Sequence, residues 1–287
     1  MSGRLILVGT PIGNLSDMSP RAIEALKNAD FIAAEDTRVT MKLLNYFGIK
    51  RKGAILSYFE HNKHQKGEQI IERILAGEDC VLVSDAGMPA ISDPGEELVK
   101  RCHEKKITVT VVPGPNAAIS AVAISGLSAG RFTFEGFLSV NKKSRFEHLE
   151  SIKNEVRTMI FYEAPHKLLR TLKDFYKIFG NRKISILREL TKIHEEILLT
   201  TLEEAIKKYE TEPIKGEFVL VVEGSSPALE KEGISLEEAI KMAKSLQTKE
   251  SSVSEVAKQV AKATGLKKSD IYKELVSRQK DISKTEK

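Results

Sequence analysis

From residue 5 to residue 112, short apolar runs alternate with segments whose apolar positions recur every three to four residues. The runs at 5–8, 31–34, 54–57, 80–83 and 107–112 predict buried strands. The periodic segments at 20–27, 37–46, 64–75 and 96–104 predict amphipathic helices. Ser19 followed by Pro20 is a helix start, an N-cap with proline at the first helical position. In the third helix Ile70, Ile71, Ile74 and Leu75 make one apolar stripe. Repeated strand–helix units of this kind imply a parallel sheet covered on both faces.

After Pro113-Gly114-Pro115 the pattern changes. Residues 117–124 form a helix of small side chains, and 132–138 alternate aromatic and polar positions, as in a half-buried strand. A charged helix follows, then strands at 158–162, 183–187, 196–200 and 217–222, with helices at 168–176 and 202–208. Strands that succeed one another without full helical crossovers imply a mixed sheet. Ser225-Ser226-Pro227 and Gly233 mark a linker. Beyond it the pattern is helical only, at 236–246, 253–263 and 268–276. The last two helices are joined by a turn at Thr264-Gly265 with helix-turn-helix spacing, around a small core of Val253, Val256, Ala257, Val260, Ile271 and Leu275. The expected organisation is an α/β domain at 1–114, a second α/β domain at 115–224 and a helical module at 234–287.

Composition narrows the class. The 287 residues suffice for about two domains with proper cores. The longest apolar stretch, 117–127, is too short to span a bilayer, and residues 1–10 lack the features of a signal peptide. Two cysteines give neither a disulfide framework nor zinc spacing, so a reducing cytoplasm is expected. The net charge of +5 is unevenly placed: residues 234–287 carry twelve Lys and Arg against eight Asp and Glu. A basic appendage on a near-neutral body points to an anionic partner, and Lys258, Lys262, Lys267, Lys268 and Lys273 suit phosphate contact.

The loops carry the candidate chemistry. SDAGMPAISDPG, residues 84–95, follows a buried strand and is rich in turn formers, the make-up of a loop that lets backbone approach a ligand. In open α/β sheets such loops rim the site. Gly9-Thr10-Pro11-Ile12-Gly13-Asn14 is a tight turn without the dinucleotide fingerprint or the P-loop lysine, which removes the main support for nicotinamide oxidoreduction and P-loop hydrolysis. Glu35-Asp36-Thr37-Arg38 brings two carboxylates and a guanidinium to a strand end, as base and phosphate clamp or as a capped helix start. His61 and His64 lack further ligands at metal spacing, and no GxSxG elbow supports a serine triad. Pro165 leaves Glu163 and His166 at another strand end.

Read in order, GTPIGNLSDMSPRAIEAL, AAEDTR, SDAGMPAISDPG, VVPGPNAAISA, FEGFL, FYEAPHKLL and KKSDIYKEL resemble the ribosomal RNA small subunit methyltransferase I family of the tetrapyrrole methylase superfamily, from Leu5 to Val276. One departure is Phe59, where family members usually carry histidine. The resemblance implies two α/β domains of tetrapyrrole methylase type, a homodimer, and S-adenosyl-L-methionine bound between the domains. It also implies methyl transfer to the ribose 2'-hydroxyl of a cytidine in the decoding region of 16S ribosomal RNA, in the small ribosomal subunit. Carried over by motif, the cofactor cleft includes Pro11, Asp85, Ala86, Gly87, Pro89, Ile91, Ser92, Ala117 and Ala118, with Phe161, Tyr162 and the Gly216-Glu217 strand entrance as weaker members. Glu35 and Asp36 are the first candidates for the base and Glu163 the next, with Arg38 as clamp. The rivals are a superfamily methylase acting on a tetrapyrrole or a protein residue, and a nucleic-acid-binding regulator without catalysis.

Overall fold

The structure, a computed structural model, describes residues 2–225, 236–246, 252–264 and 266–285. Contacts divide the chain into two units, Met1–Gly224 and Ser225–Lys287. Most of the expected linker and Gly265 of the expected glycine turn lie outside the described residues.

The first half of the larger unit holds β1 (Arg4–Val8), α1 (Pro20–Asn28), β2 (Phe31–Ala34), α2 (Thr37–Tyr46), β3 (Ile55–Ser57), α3 (Lys63–Leu75), β4 (Cys80–Val83), α4 (Glu96–Glu104) and β5 (Thr108–Val112). The strands form one parallel sheet in the order β3-β2-β4-β1-β5. Strand alternation sends Leu5, Phe31, Ala33, Cys80 and Leu82 to one face, against Ile70, Ile74, Leu98 and Cys102 of α3 and α4. It sends Val8, Ile32, Ala34, Val81 and Val83 to the other, against α1 and α2. Burial on both faces is why these strands read as continuous apolar runs. The helix start at Ser19 is as expected, its side chain accepting the Ala22 N–H at 3.1 Å.

The second half holds α5 (Ala117–Ile124), β6 (Phe132–Phe137), α6 (Lys142–Ser151), β7 (Thr158–Glu163), α7 (Leu168–Phe179), β8 (Lys183–Arg188), β9 (Glu196–Thr201), α8 (Leu202–Thr211) and β10 (Phe218–Val222). Its sheet runs β6-β7-β10-β8-β9 and is mixed: β6 and β7 are parallel, the remaining pairs antiparallel. Met159, Phe161, Ile184, Ile186, Leu220 and Val222 face a core completed by α7 and α8. Ile160, Leu187, Val219 and Val221 face the other way, towards α5. That second face becomes one wall of the site.

In the smaller unit α9 (Leu236–Leu246), α10 (Val253–Thr264) and α11 (Lys268–Thr285) surround Ala239, Ile240, Ala243, Val256, Ala257, Val260, Ile271 and Leu275. Among the described residues no helix is long and apolar enough to cross a membrane.

Candidate functional site

Loops from several strand ends are tied together by backbone. Thr10 and Gly87 exchange N–H to carbonyl hydrogen bonds at 2.9 and 3.0 Å, joining the turn after β1 to the loop after β4. A Cβ on Gly9 would stand 2.7 Å from both the Gly114 Cα and the Met88 Sδ, so only glycine lets these loops meet. The ends of β2 and β4 are latched reciprocally. The Asp36 N–H donates to Asp85 Oδ1 at 3.0 Å, and the Asp85 N–H donates to Glu35 Oε2 at 3.2 Å. Along residues 84–95 the backbone turns left-handed at Gly87 (φ 83°), Ala90 (φ 67°) and Ser92 (φ 63°). For the two non-glycine residues this costs about 1–2 kcal/mol each, strain that persists where the surroundings fix the loop.

These loops and the α5-facing side of the second sheet enclose a cavity of about 560 Å³, a size suited to a small molecule. Ile12, Met88, Leu187, Leu190, Tyr162 and Val219 make it largely apolar, and Asn116 and Ala117 bring the start of α5 to its wall. Asn116 caps that helix, accepting the Ile119 N–H at 3.0 Å, while the Ala118 N–H donates to the Tyr162 hydroxyl at 3.1 Å. Lys192 reaches both Glu189 (2.8 Å) and Glu217 (2.9 Å) at the strand entrance.

Glu35, Asp85 and Asp93 line the same cavity. Burial pushes Asp93 up to about 6, and the neighbouring charges of Glu35 and Asp85 add to it against a hydrogen bond from Ser84. Burial also raises Glu35 and Asp85, each opposed by the latch hydrogen bond it accepts. Glu163 is buried; its carboxylate accepts the Ala164 N–H at 2.9 Å and the Thr171 hydroxyl. Asp36 differs. It caps α2 and pairs with Arg38 at 2.6 Å, and the hydrogen bonds from Arg38 bring it down to about 2. Among the described residues no group of His, Cys, Asp or Glu is placed to hold a metal ion.

Comparison with known proteins gives the family. The family Tetrapyrrole (Corrin/Porphyrin) Methylases matches residues 4–206. A protein of Halalkalibacterium halodurans named ribosomal RNA small subunit methyltransferase I is 49% identical over 277 residues, covering 94% of this chain and 93% of its own length. One of the same name from Synechocystis is 45% identical over 271 residues, covering 94% and 96%. The chain belongs to the ribosomal RNA small subunit methyltransferase I family. Solved structures share the tetrapyrrole methylase fold at low identity. The uroporphyrin-III C-methyl transferase of Thermus thermophilus, complexed with S-adenyl homocysteine, has TM-score 0.54 and 18% identity, covering 76% of this chain and 97% of its own. A diphthine synthase has TM-score 0.56 and 15% identity, covering 78% and 91%.

Of the residues the family motifs bring forward, Asp85, Ala86, Gly87, Ile91, Ser92, Ala117, Tyr162, Glu35 and Glu163 line the cavity, as does Glu217 of the strand entrance. Pro11 instead lines a neighbouring hollow with Leu15, Val39, Leu43 and Tyr46, which shares Asp85 with the cavity. Pro89 and Ala118 are buried and outside the lining, Ala118 touching it through Tyr162. Phe161 points the opposite way, fully buried against Phe175 with ring centroids 4.7 Å apart. Asp36 and Arg38 form their ion pair outside the lining. Phe59 sits edge-on to His61 at 6.2 Å, and neither lines the cavity.

Sequence reasoning passed over Asp93, Asn116, Lys192 and Phe137, all of which line the cavity. Asp93, Asn116 and Phe137 stand inside the motifs quoted for the family. Lys192 follows β8 on a loop with left-handed Glu189 and Thr191, a turn no residue pattern announces.

Proposed function

We propose that this chain is an S-adenosylmethionine-dependent methyltransferase of small-subunit ribosomal RNA, and that it methylates the 2'-hydroxyl of a cytidine in the decoding region. The observation that carries the reading is the carboxylate-rimmed apolar cavity between the two sheets, in a chain 49% identical, over 94% of its length, to a protein named ribosomal RNA small subunit methyltransferase I.

The cofactor's chemistry suits the walls. A sulfonium cation is complemented by Glu35, Asp85 and Asp93, and an adenosine by Ile12, Leu187, Leu190 and Val219. Gly87, left-handed and without a side chain, lets the loop backbone form part of the wall. Asp85, Ala86, Gly87, Ile91, Ser92, Ala117 and Tyr162 would hold the cofactor, with Pro11, Pro89 and Ala118 supporting them from behind. When bound, S-adenosylmethionine supplies a methyl group already activated by its sulfonium leaving group.

The chain's own task is then to orient the hydroxyl and accept its proton. Glu35, Asp85 and Asp93 are the carboxylates on the loops of the cavity, Glu163 lines it with its oxygens engaged by the Ala164 N–H and the Thr171 hydroxyl, and a placed base contributes about 10²-fold or more. Asp36 holds the exposed guanidinium of Arg38 at the end of β2, and that guanidinium would clamp an RNA phosphate. The basic helical unit is the further RNA-docking element. For assembly and location the reading is a homodimer acting in the cytoplasm.

Incubation with methyl-labelled cofactor and small ribosomal subunits tests the reading. Label is expected in the RNA; label in protein, or cofactor binding without transfer, overturns it. Glu35→Gln and Asp36→Asn are each expected to lower turnover with cofactor affinity retained. Wild-type rates in both would remove them from the mechanism.

A further inference from the structure

Phe137 lies where regular strand alternation would not put it. Strand β6 pairs with β7 through Phe132↔Thr158, Thr133↔Met159 and Phe134↔Ile160, and then shifts register, so that Gly136 pairs with Phe161 and Phe137 with Tyr162. Glu135 is the extra residue of a β-bulge, and Gly136 takes up its bend at φ 64°. Without the bulge Phe137 would sit beside Glu163, on the side of the sheet opposite Tyr162. With it, Phe134 and Phe137 fall on one face and pack edge-on against Tyr162, with centroids 5.0 and 5.4 Å away.

The bulge is anchored through its extra residue. Glu135 pairs with His148 Nε2 of α6 at 2.9 Å. On the other side Gly136 leaves room beside the loop after β4, where an added Cβ would stand 3.6 Å from Ser92 Oγ. Phe137 nevertheless remains 57% exposed while lining the cavity together with Tyr162, Glu163 and Asp93. A large aromatic ring is thus aimed at the cavity and left uncovered on part of its surface. Just beyond it Asn141 caps α6, whose first two residues, Lys142 and Lys143, add positive charge; the Lys143 side chain is 85% exposed and 3.9 Å from Glu147. An aromatic face followed by cations is the chemistry that holds single-stranded nucleic acid, base on ring and phosphate on ammonium.

We propose that Phe137 is a stacking platform for the base of the ribonucleotide whose ribose enters the cavity. The inference rests on the reading of the protein as an RNA methyltransferase and assigns the residue that holds the unstacked acceptor nucleotide. Tyr162 backs the ring edge-on, which fixes its plane, and Glu35, Asp85 and Asp93 line the same cavity.

The test compares Phe137→Ala, Phe137→Leu and Phe137→Trp in the full-length chain, with small ribosomal subunits as substrate. Loss of the ring is expected to lower kcat/KM about tenfold to a hundredfold. Leucine keeps apolar volume without a π-face and is expected to behave like alanine, whereas tryptophan retains activity. Calorimetric affinity for S-adenosylmethionine is expected to stay within about twofold of wild type in all three. Wild-type kcat/KM in Phe137→Ala overturns the proposal, as does full rescue by leucine, which would make the residue a packing group. A change confined to self-association by sedimentation, with RNA kinetics unaltered, also overturns it and assigns the ring to a second copy of the chain. If the wild-type chain itself transfers no methyl to RNA, the functional reading has failed; if it does and Phe137→Ala matches it, only this inference has.

Discussion

Glu35, Asp85 and Asp93 share one end of the cavity, and burial makes each a weaker acid than a free carboxyl. For Asp93 the folded value of about 6 exceeds the ordinary 3.8. Between those values the folded chain holds a proton that the unfolded chain has released, so stability falls as pH rises through that window. Asp93→Asn is therefore expected to raise the Tm of the cofactor-free protein at about pH 7.5, with a gain that shrinks towards about pH 4. A pH-independent change would contradict burial as the cause. Activity runs the other way, because a carboxylate must be ionised to accept a proton. Single-turnover methylation is expected to rise with pH through about 6 and then level off, and a flat profile would remove Asp93 from proton transfer. At Gly87 (φ 83°) an alanine is expected to cost about 1 kcal/mol or more and to weaken cofactor binding, as read by calorimetry.

The elements are where the sequence was most legible. Residues 31–34, 37–46, 80–83, 96–104 and 117–124 were delimited from apolar pattern and capping residues, and the structure has the same bounds. The inner strands of both sheets, such as β2, β4 and β10, are buried on two faces, which makes them stand out as apolar runs. The site was legible in its loops but not in the direction each side chain takes. Phe161 and Tyr162 are adjacent and both stand in a site motif, yet strand alternation sends one to the helices and the other to the cavity. Phe161→Ala is accordingly expected to act on stability, by about 3–5 kcal/mol in denaturant titration, as for a large aromatic removed from a core. Phe137 was out of reach for the opposite reason, because a single-residue bulge reverses the facing that alternation predicts. Asp36 reads as a base in sequence, but the helix it caps and the Arg38 beside it engage its oxygens.

At the scale of the whole molecule the charge is unevenly divided between the two units. The unit Met1–Gly224 contains both sheets and every residue of the cavity, and Ser225–Lys287 brings most of the net positive charge. A family relative from Thermotoga maritima, 46% identical over 222 residues, is covered over 99% of its length by 77% of this chain. The cavity lining lies wholly within the first unit. Removing the helical unit is expected to leave cofactor affinity unchanged while weakening RNA binding and flattening its salt dependence, since fewer counterions are released. Unchanged RNA affinity at every salt concentration would refute a docking role. The most direct measurement on the intact protein is mass spectrometry of ribosomal RNA after small subunits are incubated with the chain and methyl-labelled S-adenosylmethionine. The account predicts one labelled nucleotide, a 2'-O-methylcytidine in the decoding region; an RNA fraction free of label would contradict it.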